Sequence, residues 1–187
     1  MAPFGKFTVR FALVPEGWLS PKGGTQGSGP HFVAHDPGDW SDDIAVLILD
    51  EPVNQSAGVF DYDDLEIRQL DNALLLNRGY PAPAPFGIPD GYEPWQMWGD
   101  QVYARVLGYL AEVNGIHRIF EHSADTSRGH SGSPLFQWRV SIDQGWRPEI
   151  VGIHSHYAQG QNYARRIVQG DLLAHFGLSI GAALVEG

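Results

Sequence analysis

The chain has 187 residues, 43% hydrophobic and 12% aromatic, enough apolar surface for one large or two small globular units. Twenty-two Asp and Glu against 12 Lys and Arg leave a formal charge of −10, so the basic field needed for nucleic-acid phosphates or anionic membranes is missing. With no cysteine there is no disulfide, thiolate metal site or thiol nucleophile. No apolar run reaches the roughly 18 residues of a membrane span, and the opening MAPFGKFTVRF lacks signal-peptide organisation.

In chain order, KFTVRFALV alternates Phe7, Val9 and Phe11 with Thr8 and Arg10, the period-2 pattern of a half-buried strand. After the turn-rich PKGGTQGSGP, IAVLILD reads as a fully apolar strand bounded by aspartates. Further strands are expected in ALLLNRGY, QVYARVLGYL, HRIFEHS, SPLFQWRV and EIVGIHSHY, with turns at PAPAPFGIPDG, EVNG and IDQGWRP. The Pro- and Gly-rich stretch from Pro81 to Pro94 carries enough aromatics to pack as an ordered surface loop. One segment, GDLLAHFGL, reads as a helix, with Asp171 as N-cap and Gly177 at the C′ position. There is no internal repeat. Many short strands with frequent turns predict an all-β sandwich or barrel.

The chemistry concentrates in ADTSRGHSGSPLF, residues 124–136, around Ser131. A serine nucleophile needs an exposed turn, main-chain N–H groups aimed at the developing oxyanion, a base within reach and a carboxylate to orient that base. Gly129 can adopt backbone angles closed to other residues, so its N–H and that of Ser131 can converge on one oxygen, while Gly132 leaves room for a substrate. The competing reading is a plain turn built from turn-forming residues.

Four motifs in order, DDIAVLILDEP, GYP, DTSRGHSGSPLF and VGIH, resemble the chymotrypsin-like serine peptidases, most closely the bacterial glutamyl endopeptidase (V8-like) branch. The likeness runs from about Phe32 to the final helix. It implies a double β-barrel whose N-terminal barrel, residues 1–70, is incomplete, followed by a C-terminal barrel with a terminal helix, residues 71–187. It also implies that Ser131 is the nucleophile, Gly129 and Ser131 the oxyanion donors, and Asp43 the triad carboxylate. The interval agrees: Ser131 lies 131 − 43 = 88 residues after Asp43, against roughly 93 in the Ser-His-Asp template of that fold. The template histidine precedes its aspartate by roughly 45 residues, which falls upstream of Met1. Neither His31 nor His35 fits the expected Thr-x-x-His segment, so the catalytic imidazole is expected outside this chain. On that reading residues 1–187 alone hydrolyse peptides poorly, and robust turnover by them would refute it.

The resemblance further implies that Thr126 and His154 line the pocket for the residue on the acyl side of the cut bond. A hydroxyl and an imidazole donate hydrogen bonds without a permanent charge, which suits Glu or Asp there. The interval from Ser131 to His154 is long for the family, and QWRVSIDQGWRP accounts for it as an extended hairpin. Trypsin-like members place an aspartate just before the serine to pair with a newly cut N-terminus; His130 stands there in this chain and excludes that activation switch. His130 is too constrained to be the base, and His117, His122 and His175 read as surface or packing residues. No cofactor is called for, and nothing specifies the calcium that family members can bind. The expected partner is a protein or peptide substrate, the expected state a monomer, and the full-length protein is expected to be extracellular.

Three other classes compete. The nucleophile elbow Gly-x-Ser-x-Gly of α/β-hydrolases fails at Ser133 and lacks strand–helix alternation around it. His154 and His156, two apart on one strand, share a face as metal ligands would, but a third ligand is missing. A catalytically inactive, peptidase-like binding module or truncated remnant is the remaining rival.

Overall fold

The computed structural model describes residues 8–13, 43–53, 60–81, 96–99, 103–113, 115–143 and 145–170. Its described part is mostly β-sheet. The first two strands, β1 (Val9–Leu13) and β2 (Val46–Leu49), form an antiparallel pair of their own, with Leu13 opposite Val46 and Val9 opposite Leu49. Two-strand ribbons cannot enclose a core, and Val9, Leu47 and Ile48 accordingly remain exposed. The apolar run IAVLILD is therefore a strand as its composition requires, without the two-sided burial that composition suggests.

The described strands from Asp61 onward build a second, seven-stranded sheet. Its strands are β3 (Asp61–Tyr62), β4 (Leu76–Asn77), β5 (Val106–Val113), β6 (Ile116–His122), β7 (Pro134–Ser141), β8 (Gly145–Ala158) and β9 (Gln161–Arg166). Their order is β4-β7-β8-β9-β6-β5, with β3 lying parallel to β8 along Glu149 and Ile150. Among the described residues the ladder does not close into a barrel, but its end strands meet at one point. Leu75, just before β4, and Ala104, two residues before β5, exchange both main-chain hydrogen bonds at 2.7 and 3.0 Å. Val113 stands opposite Ile116 where β5 gives way to β6, and β7 and β8 form the expected long hairpin with Ser141 opposite Gly145, but residues 145–148, expected as part of the IDQGWRP turn, belong to β8 because they pair with residues 138–141. The helix expected from residue 170 falls outside the described residues, apart from helical backbone at 169–170.

The inner face of this sheet carries the core: Leu75, Phe120, Leu135, Val151 and Ala164, joined by Leu65 and Leu70 from the connection ahead of β4. That connection includes a one-turn helix, α1 (Ile67–Leu70), whose start is tied by the Glu66 N–H donating to Gln69 Oε1 at 2.9 Å. Leu70 is the side chain α1 buries. Gly152 lets β8 pass over the Phe120 ring, because a Cβ there would stand 2.7 Å from Phe120 Cε1. Space, rather than backbone conformation, explains the glycine of VGIH.

Arginines strap the connecting segment onto the sheet. Arg166, 7% exposed, donates to Asp64 Oδ1 at 2.8 Å and to the Leu65 carbonyl, and Asp64 Oδ2 accepts the Gln169 N–H at 3.0 Å. Arg147 pairs with Asp61, and Arg139 with Asp63 and Glu149. These last pairs are exposed enough that each contributes only on the order of 0–1 kcal/mol. Tyr109 on β5 reaches across to the same segment, its hydroxyl donating to Asp71 Oδ1 at 2.7 Å. Burial and that carboxylate together raise the Tyr109 pKa. Tyr109→Phe is expected to lower unfolding stability by about 1 kcal/mol, measured as a shift in urea midpoint at constant m-value.

Candidate functional site

Ser131 sits in the turn between Ala124 and β7, and the structure exposes it while burying both neighbours that shape the turn, His130 and Ser133. Gly129 (φ 97°) and Gly132 (φ 88°) lie in the left-handed region that favours glycine. A Cβ on Gly132 would meet nothing within 4 Å, so backbone angle alone explains that glycine.

Main-chain hydrogen bonds in the turn alternate in a chemically useful way. The His130 N–H donates to the Ser127 carbonyl at 3.1 Å, the Gly132 N–H to the His154 carbonyl at 2.8 Å, and the Ser133 N–H to the His130 carbonyl at 2.8 Å. The N–H groups of Gly129 and Ser131 donate to nothing among the described residues, and both residues are exposed. Two exposed, unspent donors two residues apart therefore remain on a turn fixed at the positions between and after them. The Ser131 hydroxyl likewise makes no hydrogen bond among the described residues.

Beneath the turn lies a buried polar layer that sequence reasoning missed in part. Asn77 on β4, fully buried, donates through Nδ2 to Ser133 Oγ at 2.8 Å and to the Pro134 carbonyl at 3.0 Å. A lone Asn inside the apolar run ALLLNRGY was the available signal. Gly79, of the GYP motif, backs onto the same layer, since a Cβ on it would stand 2.6 Å from His130 Cδ2 and 2.9 Å from Ser133 Cβ. Trp98, paired with Gly79 across an antiparallel bridge, stacks on the His130 ring, ring centroids 5.0 Å apart and planes 11° from parallel. Its Nδ1 accepts the Ser127 N–H at 2.9 Å, and burial lowers its pKa, so it is uncharged at neutral pH.

His154 and His122 continue this layer. His154, 3% exposed, is bound to the turn through its main chain and sets its Nδ1 3.1 Å from His122 Nε2, the rings at 83°. One proton lies between those nitrogens, on a side fixed by the tautomer pair. Burial first, and a neighbouring imidazole second, lower the pKa to about 3 for His122 and about 4 for His154. His122 faces Asn162 across β6 and β9. Asn162 Nδ2 donates to the Ala124 carbonyl at 2.8 Å, which fixes the amide orientation and leaves Oδ1 to accept the Thr126 hydroxyl at 2.5 Å. Thr126 therefore spends its proton on Asn162 and turns lone pairs elsewhere.

Ser131, Gly129, Thr126 and His154 thus share one neighbourhood at the end of the inner sheet face. Asp43 lies three residues before β2, half-buried and engaged in an interaction of its own. His31, His35 and His175 lie outside the described residues. The metal-ligand geometry considered for His154 and His156 does not form: a bulge sets His154 opposite Ala164 and His156 opposite Tyr163, consecutive residues on opposite faces of β9. His156 stacks on Tyr163 instead, and among the described residues no group of three His, Asp or Glu is placed to hold a metal.

No model of a known protein family, no curated protein and no solved structure matches this chain. Among the described residues, no helix is long and apolar enough to cross a membrane.

Proposed function

We propose that the Ser131 turn is the reacting centre of an acyl-transfer serine hydrolase. The observation that carries this reading is the pair of unspent amides, Gly129 N–H and Ser131 N–H, flanking a spent one beside an exposed serine. Such a pair stabilises the oxyanion that forms when a serine oxygen adds to a carbonyl, a contribution of about 3–4 kcal/mol per donor in related chemistry.

Within that class, the motif order supports a chymotrypsin-like double barrel of the V8-like branch acting as an endopeptidase. The bridge between Leu75 and Ala104 supports the second barrel, because it brings the two ends of the seven-stranded sheet together. In this reading Ser131 attacks the peptide carbonyl, an imidazole takes its proton, and Asp43 orients that imidazole. The amine leaves with the proton, and water then releases the acyl group from Ser131. The substrate side chain on the acyl side is read by His154, with Thr126 alongside. Because Thr126 donates to Asn162, a donor to a Glu or Asp carboxylate comes from the Nε2 of an uncharged His154 in the tautomer in which its Nδ1 accepts from His122 Nε2.

A second reading, a peptidase-like binding module, draws on the Ser131 hydroxyl lacking a hydrogen-bonded base among the described residues. A fluorophosphonate probe separates the two, used with and without added free imidazole as a replacement base. The hydrolase reading expects adduct on Ser131 in imidazole, and none on Ser131→Ala. Absence of adduct under both conditions, with the protein folded, leaves the binding module.

A further inference from the structure

We propose that His130 is the positioning residue of the Ser131 turn: its imidazole, stacked on the Trp98 indole and packed against Gly79, keeps the Gly129 and Ser131 amides pointed at a common oxygen. This rests on the reading of Ser131 as a nucleophile and adds how its turn is held.

His130 and Ser127 bond to each other twice. The Ser127 N–H donates to His130 Nδ1 at 2.9 Å and the His130 N–H donates to the Ser127 carbonyl at 3.1 Å. The His130 carbonyl then accepts the Ser133 N–H at 2.8 Å. One residue therefore closes the loop on both sides of Ser131, through its side chain toward Ser127 and its main chain toward Ser133. The ring cannot drift, being fully buried, stacked 5.0 Å from Trp98, and faced by a Gly79 too close to accept a methyl group. Gly79 in turn is held by exchanging both main-chain hydrogen bonds with Trp98, at 2.8 and 2.9 Å. The anchor is thus a neutral acceptor inside a closed packing unit. An anchor built on a buried carboxylate needs a cation to neutralise it, and this one does not. The turn is set by folding alone, with no cleavage required to supply a charged partner.

Two variants split the acceptor role from bulk packing. His130→Asn keeps an oxygen near the place of Nδ1 for the Ser127 N–H and gives up most of the stack; His130→Phe keeps the stack and gives up the acceptor. The readouts are the Ser127 amide resonance with its hydrogen-exchange protection, and the rate of fluorophosphonate adduct formation on Ser131 in free imidazole. The expected result is that His130→Phe loses Ser127 protection and labels about a hundredfold more slowly, the size of a lost oxyanion donor. His130→Asn retains protection and labels within about fivefold of the original protein, a smaller loss than removal of a whole donor. Equal losses in both variants, or a His130→Phe protein that labels and protects like the original, overturn the proposal. If either variant fails to fold, ¹⁵N-histidine spectra of the unmodified protein decide: a proton-free, hydrogen-bonded His130 Nδ1 upholds it, and a protonated Nδ1 overturns it. Should the unmodified protein never label, the hydrolase reading falls, while amide protection still judges the anchor.

Discussion

Acidification from pH 7.5 to pH 5 is expected to lower the melting temperature by on the order of 10 °C, with most of the loss below pH 6.5. The cause is the buried imidazole layer. His122 and His154 are almost wholly enclosed, and burial, reinforced by His154 beside His122 and by His130 and His156 beside His154, lowers their pKa to about 3 and about 4. The unfolded chain binds a proton on each near the ordinary value of about 6.5. Between the two sets of values the unfolded state carries more protons, so stability rises with pH through this window and is flat above about pH 7. At pH 5 each imidazole weakens the fold by about 2 kcal/mol, about 4 kcal/mol for the two. That is a large part of the 5–15 kcal/mol typical of a whole domain. His130, also lowered, and His156, lowered to about 4 but less enclosed, act in the same direction. Glu149, whose pKa burial raises, opposes them, since its folded form gains a proton more readily. Calorimetry across pH 5–7.5 checks the prediction, and His122→Gln should flatten part of the slope. A melting temperature unchanged across this range would contradict burial of the imidazoles.

The same layer shows what the sequence makes legible. Short apolar runs bounded by turn residues locate the strands around residues 106–113, 116–122, 134–141 and 149–158, although consecutive residues such as Ile119 and Phe120 are both buried and the period-2 pattern does not hold there. Such runs miss β9, where QNYARR places Arg165 and Arg166 in buried positions. Arginines inside a strand read as a loop until their carbonyl and carboxylate acceptors are known; Arg165 donates to the carbonyls of Arg166 and Arg118. Parallel pairing of β3 with β8 is equally invisible, since two residues carry no periodicity. Glycines separate in the same way. Those at 129 and 132 were readable as turn residues, whereas 79 and 152 owe their identity to neighbours distant in sequence, His130 and Phe120. His154 was readable from its motif, but its partner His122 was assigned to surface or packing, because pairing across β6, β9 and β8 leaves no local trace.

Gly79→Ala is expected to destabilise the protein by about 3 kcal/mol, at the upper end of overpacking penalties, and to disable the Ser131 turn with it. The new methyl would stand 2.6 Å from His130 Cδ2 and 2.9 Å from Ser133 Cβ, so something must move. Retreat of the Gly79 backbone is opposed by its two hydrogen bonds with Trp98. Ser133 is tethered by Asn77 and by the His154 N–H, which donates to its carbonyl at 2.8 Å. The softest response is displacement of the His130 ring, which breaks the Trp98 stack and the Ser127 hydrogen bond together. Because the clash is shared, the penalties of Gly79→Ala and His130→Ala should not add: in the His130→Ala background, Gly79→Ala is expected to cost about 1–2 kcal/mol less. Urea unfolding of the four proteins of this cycle measures the coupling. Additive penalties would mean that Gly79 is selected by its backbone rather than by the imidazole behind it, and would detach the GYP motif from the geometry of the nucleophile turn.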